Sequence, residues 1–227
     1  MTEKAIIFDA SPLISMAMNG LLPEFRRLKN TFDGKFLITK EVREEIIGHP
    51  IKIKRFELEA LKLQELINDG TLEFPEVFNL KEIDISEETK RLLELANKTF
   101  LQRGNPLHLI DLGETSALVL SRELTKKGVK NIIVIDERTT RMLCEKPENL
   151  KKLLQKKLHT KIDIKKENLK NFQEFKIIRS SELMYLVYKK QLTKIKNKKV
   201  LDAILYGLKY KGCAISIDEI EKIKRLS

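Results

Sequence analysis

Three short apolar segments, separated by long stretches with helical periodicity, constrain the fold of this chain more than any other feature. They are residues 4–8 (KAIIF), 35–38 (KFLI) and 131–135 (NIIVI). Each is too short for a helix, and an almost continuous apolar run is typical of a parallel strand that is buried on both faces. The alternation of strands and helices predicts an α/β fold: a doubly wound, mostly parallel sheet with helices on both faces.

Capping residues and periodicity place the remaining elements. Short strands are predicted at 71–74 and 175–178, and the last strand is expected to join the same sheet. A basic helical insertion is predicted at about 146–175, and residues 1–227 are expected to form a single domain. Helices are predicted as follows: from Ser11, from Thr39, 51–68, 86–103, 108–127, from Ser180 or Ser181, 198–210 and from Ser216.

The positive charge of the chain is concentrated in its last third. The net charge is +11, but residues 1–145 hold 22 basic and 24 acidic side chains, whereas residues 146–227 hold 22 basic and 9 acidic ones. A segment of one charge sign indicates a polyanionic partner, either nucleic acid or an acidic protein. A solvated helical surface in a lysine-rich chain has the same composition, so charge alone leaves both interpretations open.

Composition excludes several classes of protein. No apolar run approaches the roughly 18 residues of a membrane helix, and no membrane association is expected. The apolar run at the start is short and ends at Asp9, which does not match a secretory signal. Two cysteines, Cys144 and Cys213, are too few for a disulfide framework. We therefore expect a soluble protein of a reducing compartment, the cytoplasm.

Acidic residues follow two of the predicted parallel strands. Asp9 comes directly after the first strand, and Asp136 comes directly after the run at 131–135. Because ligands collect where the carboxyl ends of parallel strands meet, these two side chains are expected to lie at one site. Taken alone, an aspartate after a strand more often caps a turn or a helix.

Two predicted helices add carboxylates near the same edge. Glu114 lies on the core-facing stripe of the helix at 108–127, with Asp111 one turn earlier, and Glu45 flanks the apolar face of the helix after the second strand. Each could instead stabilise a helix N-terminus. Carboxylates gathered in one pocket need counter-charge, which Mg²⁺ or Mn²⁺ supplies. The three histidines lack metal-ligand spacing and receive no role.

These acidic segments, taken in order, resemble those of the PIN-domain family of metal-dependent nucleases. The resemblance covers nearly the whole chain and implies a PIN-like, three-layer α/β/α fold. The matching segments are IIFDAS at 6–11, ITKEVREEI at 38–46, DLGETSALVLSRE at 111–123, VIDERTTR at 134–141 and the closing IIRSSELMYLVYKKQL at 177–192.

The resemblance also implies roles for individual residues. Four acids are expected to be catalytic, with Glu44 as the alternative to Glu45: Asp9, Glu45, Glu114 and Asp136. The expected ligands of Mg²⁺ or Mn²⁺ are Asp9, Glu114 and Asp136, with Asp111 as an auxiliary. The residues expected to contact substrate are Ser11, Arg141, Ser180, Lys151 and Lys152.

The activity implied is divalent-metal-dependent hydrolysis of RNA, by a toxin or by an RNA-processing enzyme. The partners implied are RNA, an antitoxin protein and a second copy of the chain. The alternative is a catalytically silent PIN-like module that binds RNA or a protein. Convergence of at least three acids distinguishes the enzyme from the module. A phosphotransfer domain with Asp9 as nucleophile is disfavoured, because position 11 is Ser11 rather than a second aspartate.

Overall fold

Strands and helices alternate along the chain in the computed structural model, which describes residues 3–226. The strands are β1 (Lys4–Phe8), β2 (Lys35–Leu37), β3 (Phe100–Gln102), β4 (Asn105–Pro106), β5 (Lys130–Val134), β6 (Ile162–Ile164) and β7 (Ile177–Ile178). The helices are α1 (Ala10–Met18), α2 (Leu22–Thr31), α3 (Lys40–Arg43), α4 (Glu57–Asn68), α5 (Glu82–Asn97), α6 (Leu112–Lys126), α7 (Arg138–Glu145), α8 (Pro147–Leu158), α9 (Lys166–Leu169), α10 (Ser180–Lys189), α11 (Val200–Tyr210) and α12 (Ile217–Arg225). α3 continues directly into a π-helical turn, Glu44–Gly48.

A parallel sheet of four strands, in the order β2-β1-β5-β7, forms the centre of the structure. Ile6 of β1 is in register with Phe36 on one side and with Ile132 on the other. The chain passes from β1 to β2 at one side and later to β5 at the opposite side, so the direction of winding reverses between β1 and β5. In open α/β sheets, such a reversal leaves a crevice outside the carboxyl ends of the strands, where ligands bind.

Side chains of β1 alternate between two hydrophobic cores, one on each face of the sheet. Ile6 and Phe8 pack with buried residues of α1, α2 and α10, whereas Ala5 and Ile7 pack with buried residues of α5 and α6. Burial on both faces explains why these strands are nearly continuous apolar runs. The α/β class is confirmed, and helices on both faces are compatible with a three-layer α/β/α arrangement.

A second sheet is antiparallel and has the strand order β4-β3-β6. Phe100 of β3 lies opposite Ile164 of β6. Two predictions are wrong here: the helix predicted at 86–103 ends at Asn97, and the insertion predicted as helical at about 146–175 contributes β6 between two helices. Aromatic and β-branched residues favour strands in both places, but their partners are distant in sequence, which local periodicity cannot show.

Two helices begin with a different cap from the one predicted. α1 begins at Ala10, and its N-cap is Asp9 rather than Ser11. The carboxylate of Asp9 accepts a hydrogen bond from the amide of Ser11 at 3.3 Å, which an aspartate at this position can do as well as a serine. α10 begins at Ser180, and Arg179 occupies its N-cap position. The N-cap of α1 matters for the site, because the hydrogen bond from the amide of Ser11 fixes the orientation of the Asp9 carboxylate.

Other predicted elements are confirmed or shortened. Thr39 caps α3, Ser216 caps α12, and the run at 175–178 contains β7 of the parallel sheet. The helix predicted at 51–68 is shorter than expected and corresponds to α4. The strand predicted at 71–74 is reduced, in the described part of the chain, to a single bridge with β2.

Candidate active site

Asp9 and Asp136 lie at the carboxyl edge of the parallel sheet, where the winding reverses. Asp9 directly follows β1, and Asp136 comes two residues after the end of β5. The amide of Asp9 donates to the carbonyl of Val134 at 3.1 Å, so the ends of the two strands stay paired at this edge. Both carboxylates are buried, with 2% and 0% of their surface exposed. The predicted proximity of Asp9 and Asp136 is therefore present in the structure.

Asp9 is a buried carboxylate without a basic partner. Its Oδ2 atom accepts a hydrogen bond of 2.8 Å from the hydroxyl of Ser11, the residue predicted to contact substrate. Burial raises the pKa of Asp9 to about 6, and the charge of Asp136 adds to the effect, whereas the hydrogen bonds from Ser11 oppose it. Among residues 3–226, no lysine or arginine forms an ion pair with Asp9.

Asp136 is held by the first residue of α10. The amide of Ser180 donates to Oδ1 at 2.8 Å, and the hydroxyl of Ser180 donates to Oδ2 at 2.6 Å. Burial raises the pKa of Asp136, and the nearby Glu182 contributes. Ser180 is itself fully buried, so it positions Asp136. The predicted contact of Ser180 with substrate would require its hydroxyl to leave Asp136.

Glu114 is the third buried carboxylate, and α6 places it. Its Oε2 atom accepts hydrogen bonds from the amide of Asp111 at 3.2 Å and from the hydroxyl of Thr140 at 2.6 Å. Burial raises the pKa of Glu114 to about 8, and repulsion from Asp9 and from Glu137 contributes. The side chain points into the protein, as its position on the core-facing stripe predicts.

Glu45 is the fourth carboxylate, and it lies in the π-helical turn. Its Oε1 atom accepts a hydrogen bond of 3.0 Å from the amide of Gly113 at the start of α6. Burial raises the pKa of Glu45 to about 7, and repulsion from Asp9 is the next contribution. The alternative acid, Glu44, forms an ion pair with Arg43 instead. The structure therefore favours Glu45 over Glu44 as the acid beside Asp9.

Asp9 is the carboxylate that links the other three. Its charge raises the pKa of both Glu45 and Glu114, and the charge of Asp136 raises the pKa of Asp9. Burial and mutual repulsion both disfavour the ionised forms of these carboxylates. The sequence predicts that these acids lie close together. Perturbed pKa values of side chains in a crevice are typical of functional sites.

The carboxylates supply oxygen donors, the type of ligand that hard divalent cations prefer. In the part of the chain that the structure describes, no three Asp, Glu, His or Cys side chains are placed to hold a metal ion between them. Mg²⁺ binds only oxygen ligands and usually keeps several waters, bound through one or two carboxylates. Asp9, Glu114 and Asp136 offer oxygen atoms of this kind, and their part as ligands of an ion stays a prediction.

Asp111 lies at the rim of the site rather than within it. It is exposed, and its Oδ1 atom lies 2.7 Å from Nε2 of His108. The side-chain amide of Asn97 lies 3.2 Å from Nδ1 of the same histidine. Asp111 also contributes to the raised pKa of Glu45. Its expected part as an auxiliary metal ligand stays a prediction.

The other residues predicted to contact substrate are not joined to the carboxylates. Lys151 and Lys152 lie on α8, and among residues 3–226 no hydrogen bond or ion pair connects them with the four acids. Arg141 lies on α7, and its Nε atom is buried without a hydrogen-bond partner. These three contacts stay predictions.

Three further residues shape the site: the sequence assigns no role to Thr140 and His108, whereas Gly113 beside Glu114 already indicates a close backbone approach. Thr140 orients Glu114, Gly113 binds Glu45, and His108 contacts Asp111. Gly113 stands directly before Glu114 in the sequence, and a glycine in the first turn of a helix is a signal for a close approach. Thr140 carries no such signal, because its partner lies far from it along the chain.

Comparison of the chain with protein-family models, with curated proteins and with solved structures found no match. The resemblance to the PIN family therefore stays a prediction that the sequence motifs carry. No helix among the described residues has the length and apolar character needed to cross a membrane.

Proposed function

We propose that this protein is a divalent-metal-dependent ribonuclease of the PIN type, with its active site at the carboxyl edge between β1 and β5. The observation that carries the proposal is the burial of three carboxylates, Asp9, Glu114 and Asp136, none of which forms an ion pair with a basic side chain among residues 3–226. A protein gains no stability from gathering uncompensated acids, because burial disfavours their charged forms. A site that binds a cation does need such acids, because their carboxylates are its ligands.

Mg²⁺ or Mn²⁺, when bound, would polarise the scissile phosphate and make a bound water a better nucleophile. Asp9, Glu114 and Asp136 would hold the ion, partly through water. Glu45 has a different task. Its Oε1 atom is engaged by the amide of Gly113, which leaves Oε2 available to accept a proton from the attacking water. A pKa of about 7 suits that task near neutral pH.

RNA is the proposed substrate because the last third of the chain carries an excess of positive charge. α8 and the loop after α10 present exposed lysines, among them Lys152, Lys156, Lys194 and Lys198. Contacts of lysine with the phosphate backbone give affinity without sequence readout. A toxin with an antitoxin partner, or an RNA-processing enzyme, would use the same site, and a cytoplasmic location and a homodimer belong to the same proposal.

A catalytically silent PIN-like module that binds RNA or a protein is the second candidate. It is favoured by one observation: no three potential ligands among the described residues are placed to enclose a metal ion. The module would keep RNA affinity when Asp9 is replaced and would show no hydrolysis in the wild type.

Hydrolysis of a labelled single-stranded RNA by the full chain with Mn²⁺ tests the proposal. We expect cleavage by the wild type and loss of cleavage in Asp9→Asn. The matched control is Asp33→Asn, which removes an exposed aspartate just before β2, at the opposite edge of the sheet. Full cleavage by Asp9→Asn in a preparation free of other nucleases would overturn the assigned site, and loss of cleavage in both variants would show that the effect is not specific.

A further inference from the structure

A cavity of about 630 Å³ lies between α7, α11 and the segment at 213–216. It adjoins Asp136 on two sides. α7 begins two residues after Asp136, and the amide of Ala214 donates to the carbonyl of Asp136 at 3.2 Å. A ligand in this cavity would therefore be next to the proposed active site.

The lining of the cavity carries an excess of positive charge. Four of its basic side chains form no ion pair in the part of the chain that the structure describes: Arg138, Arg141, Lys146 and Lys209. The lining also includes Glu145 and Glu219. Glu219 shares Arg179 with Glu182: the Nη1 atom of Arg179 lies 2.9 Å from Glu219, and the same guanidinium forms an ion pair with Glu182. Four basic side chains without an ion pair thus line the cavity with two carboxylates, Glu145 and the partly compensated Glu219, and the ammonium of Lys209 also donates to the carbonyl of Ile215 at 2.6 Å.

Arg141 provides the second observation. Its Nε atom is buried and has no hydrogen-bond partner among residues 3–226, whereas the side chain as a whole is only partly buried and lines the cavity. A buried donor without a partner is costly, and most such groups in folded proteins are satisfied by the chain, by water or by a ligand. Arg138 and Arg141 are three residues apart on α7, so their side chains share one face of the helix. A guanidinium in this position matches the oxygen atoms of a phosphate.

We propose that this cavity binds a phosphate group of the RNA strand, with Arg141 as its main donor and Arg138, Lys146 and Lys209 as further cations. The source of the phosphate rests on the proposed function, whereas the anion site rests on the cavity itself. A phosphate held here, while another lies at Asp136, sets the path of the strand across the carboxyl edge of the sheet. The cavity would thus position the substrate rather than take part in bond cleavage.

Fluorescence anisotropy of labelled single-stranded RNA, measured without divalent metal, tests this site separately from catalysis. We expect Arg141→Gln to weaken binding by about tenfold, the order expected for one charge-assisted contact. The slope of log affinity against log salt should fall by about 0.7 for each phosphate of the single strand that the variant no longer neutralises. If Arg141→Gln does not fold, Lys146→Gln serves as the second variant, because the side chain of Lys146 is exposed. We expect the same decrease in RNA affinity and in salt slope. Arg91→Gln, on the exposed face of α5, is the matched control.

Strands with three different ends distinguish an internal phosphodiester from a terminal phosphate as the group that the cavity binds. A decrease in affinity that is equal for 5′-phosphorylated, 3′-phosphorylated and hydroxyl-ended strands assigns the cavity to an internal phosphodiester. A decrease confined to one phosphorylated end assigns it to a terminal phosphate, and inorganic phosphate should then compete with that strand. Both results support the proposal.

Unchanged RNA affinity and unchanged salt slope in Arg141→Gln and Lys146→Gln would overturn it. A decrease in affinity for polyglutamate but not for RNA would overturn it in favour of an acidic protein partner. An absence of Mn²⁺-dependent hydrolysis in the wild type would instead contradict the proposed function, and it would leave the result for the cavity intact.

Discussion

Glu45 and Gly113 are in direct contact, and the contact depends on the absence of a side chain at position 113. The amide of Gly113 donates to Oε1 of Glu45 at 3.0 Å. A β-carbon on Gly113 would lie 2.6 Å from that same oxygen, which is too close for two non-bonded atoms. The first turn of α6 therefore fits Glu45 only with glycine, and this contact is how α3 and α6 place Glu45 beside Asp9.

Gly113→Ala should displace the carboxylate of Glu45 while leaving the fold intact. Alanine favours a helix over glycine by about 1 kcal/mol, so thermal unfolding should change little. The cleavage rate should fall to the level of Glu45→Gln, and the double variant should be no slower than either single variant, because both act on one group. Additive decreases in this cycle of rate measurements would show that Gly113 acts independently of Glu45.

Stability in the absence of divalent metal should fall as the pH rises from about 5 to about 8. Asp9, Glu45 and Glu114 have pKa values of about 6, 7 and 8 in the folded chain, above their ordinary values. The folded chain therefore holds more protons than the unfolded chain across this range, and the free energy of unfolding decreases as those protons dissociate. Urea unfolding at several pH values measures the slope.

The control for this pH dependence is Glu114→Gln, which cannot lose a proton. Its free energy of unfolding should depend less on pH than that of the wild type, and Mn²⁺ should stabilise the wild type more at pH 8 than at pH 5. A free energy of unfolding that is equal at pH 5 and pH 8, or that rises in parallel for both proteins, would contradict the coupling of these acids.

Thr140→Val should impair the site through Glu114. The variant keeps the shape of the side chain but removes the donor that holds Glu114 at 2.6 Å. We expect a decrease of about 1–3 kcal/mol in stability, the cost of leaving a buried group unpaired, and a slower cleavage rate. Thr140→Ser should restore both, because it keeps the hydroxyl.

Thr89→Val provides the matched control for that substitution. Thr89 is also fully buried, but its hydroxyl has no hydrogen-bond partner. Its replacement should therefore leave stability unchanged or raise it slightly, with no effect on cleavage. Equal decreases in Thr140→Val and Thr89→Val would show that any buried valine at such a position is disruptive, and that the contact with Glu114 is not the cause.

The parallel sheet could be predicted because β1, β2 and β5 are buried on both faces and so appear as apolar runs. Asp9 and Asp136 could be placed for the same reason, since each follows such a run. The second sheet could not be predicted, because β3 follows a helix without a break and pairs with β6 far along the chain. Local periodicity contains no information on that pairing.

The details of the site also depend on contacts between distant segments. The π-helical turn that carries Glu45 has no signature in the residues themselves. The hydrogen bond from Ser180 to Asp136 joins residues 44 positions apart. The positions of Asp9 and Asp136 at the edge of the sheet could thus be predicted from the sequence, whereas the contact of Ser180 with Asp136 could not.

Calorimetric titration of the purified full chain with Mn²⁺ tests most directly whether these carboxylates form a cation site. We expect the wild type to bind Mn²⁺ with release of protons near pH 7, because the ion displaces protons from acids with raised pKa values, so the heat should change with the buffer. Asp9→Asn should lose this binding, and Asp33→Asn should retain it. Binding that is absent in the wild type, or equal in Asp9→Asn, would contradict a shared cation site at Asp9, Glu114 and Asp136.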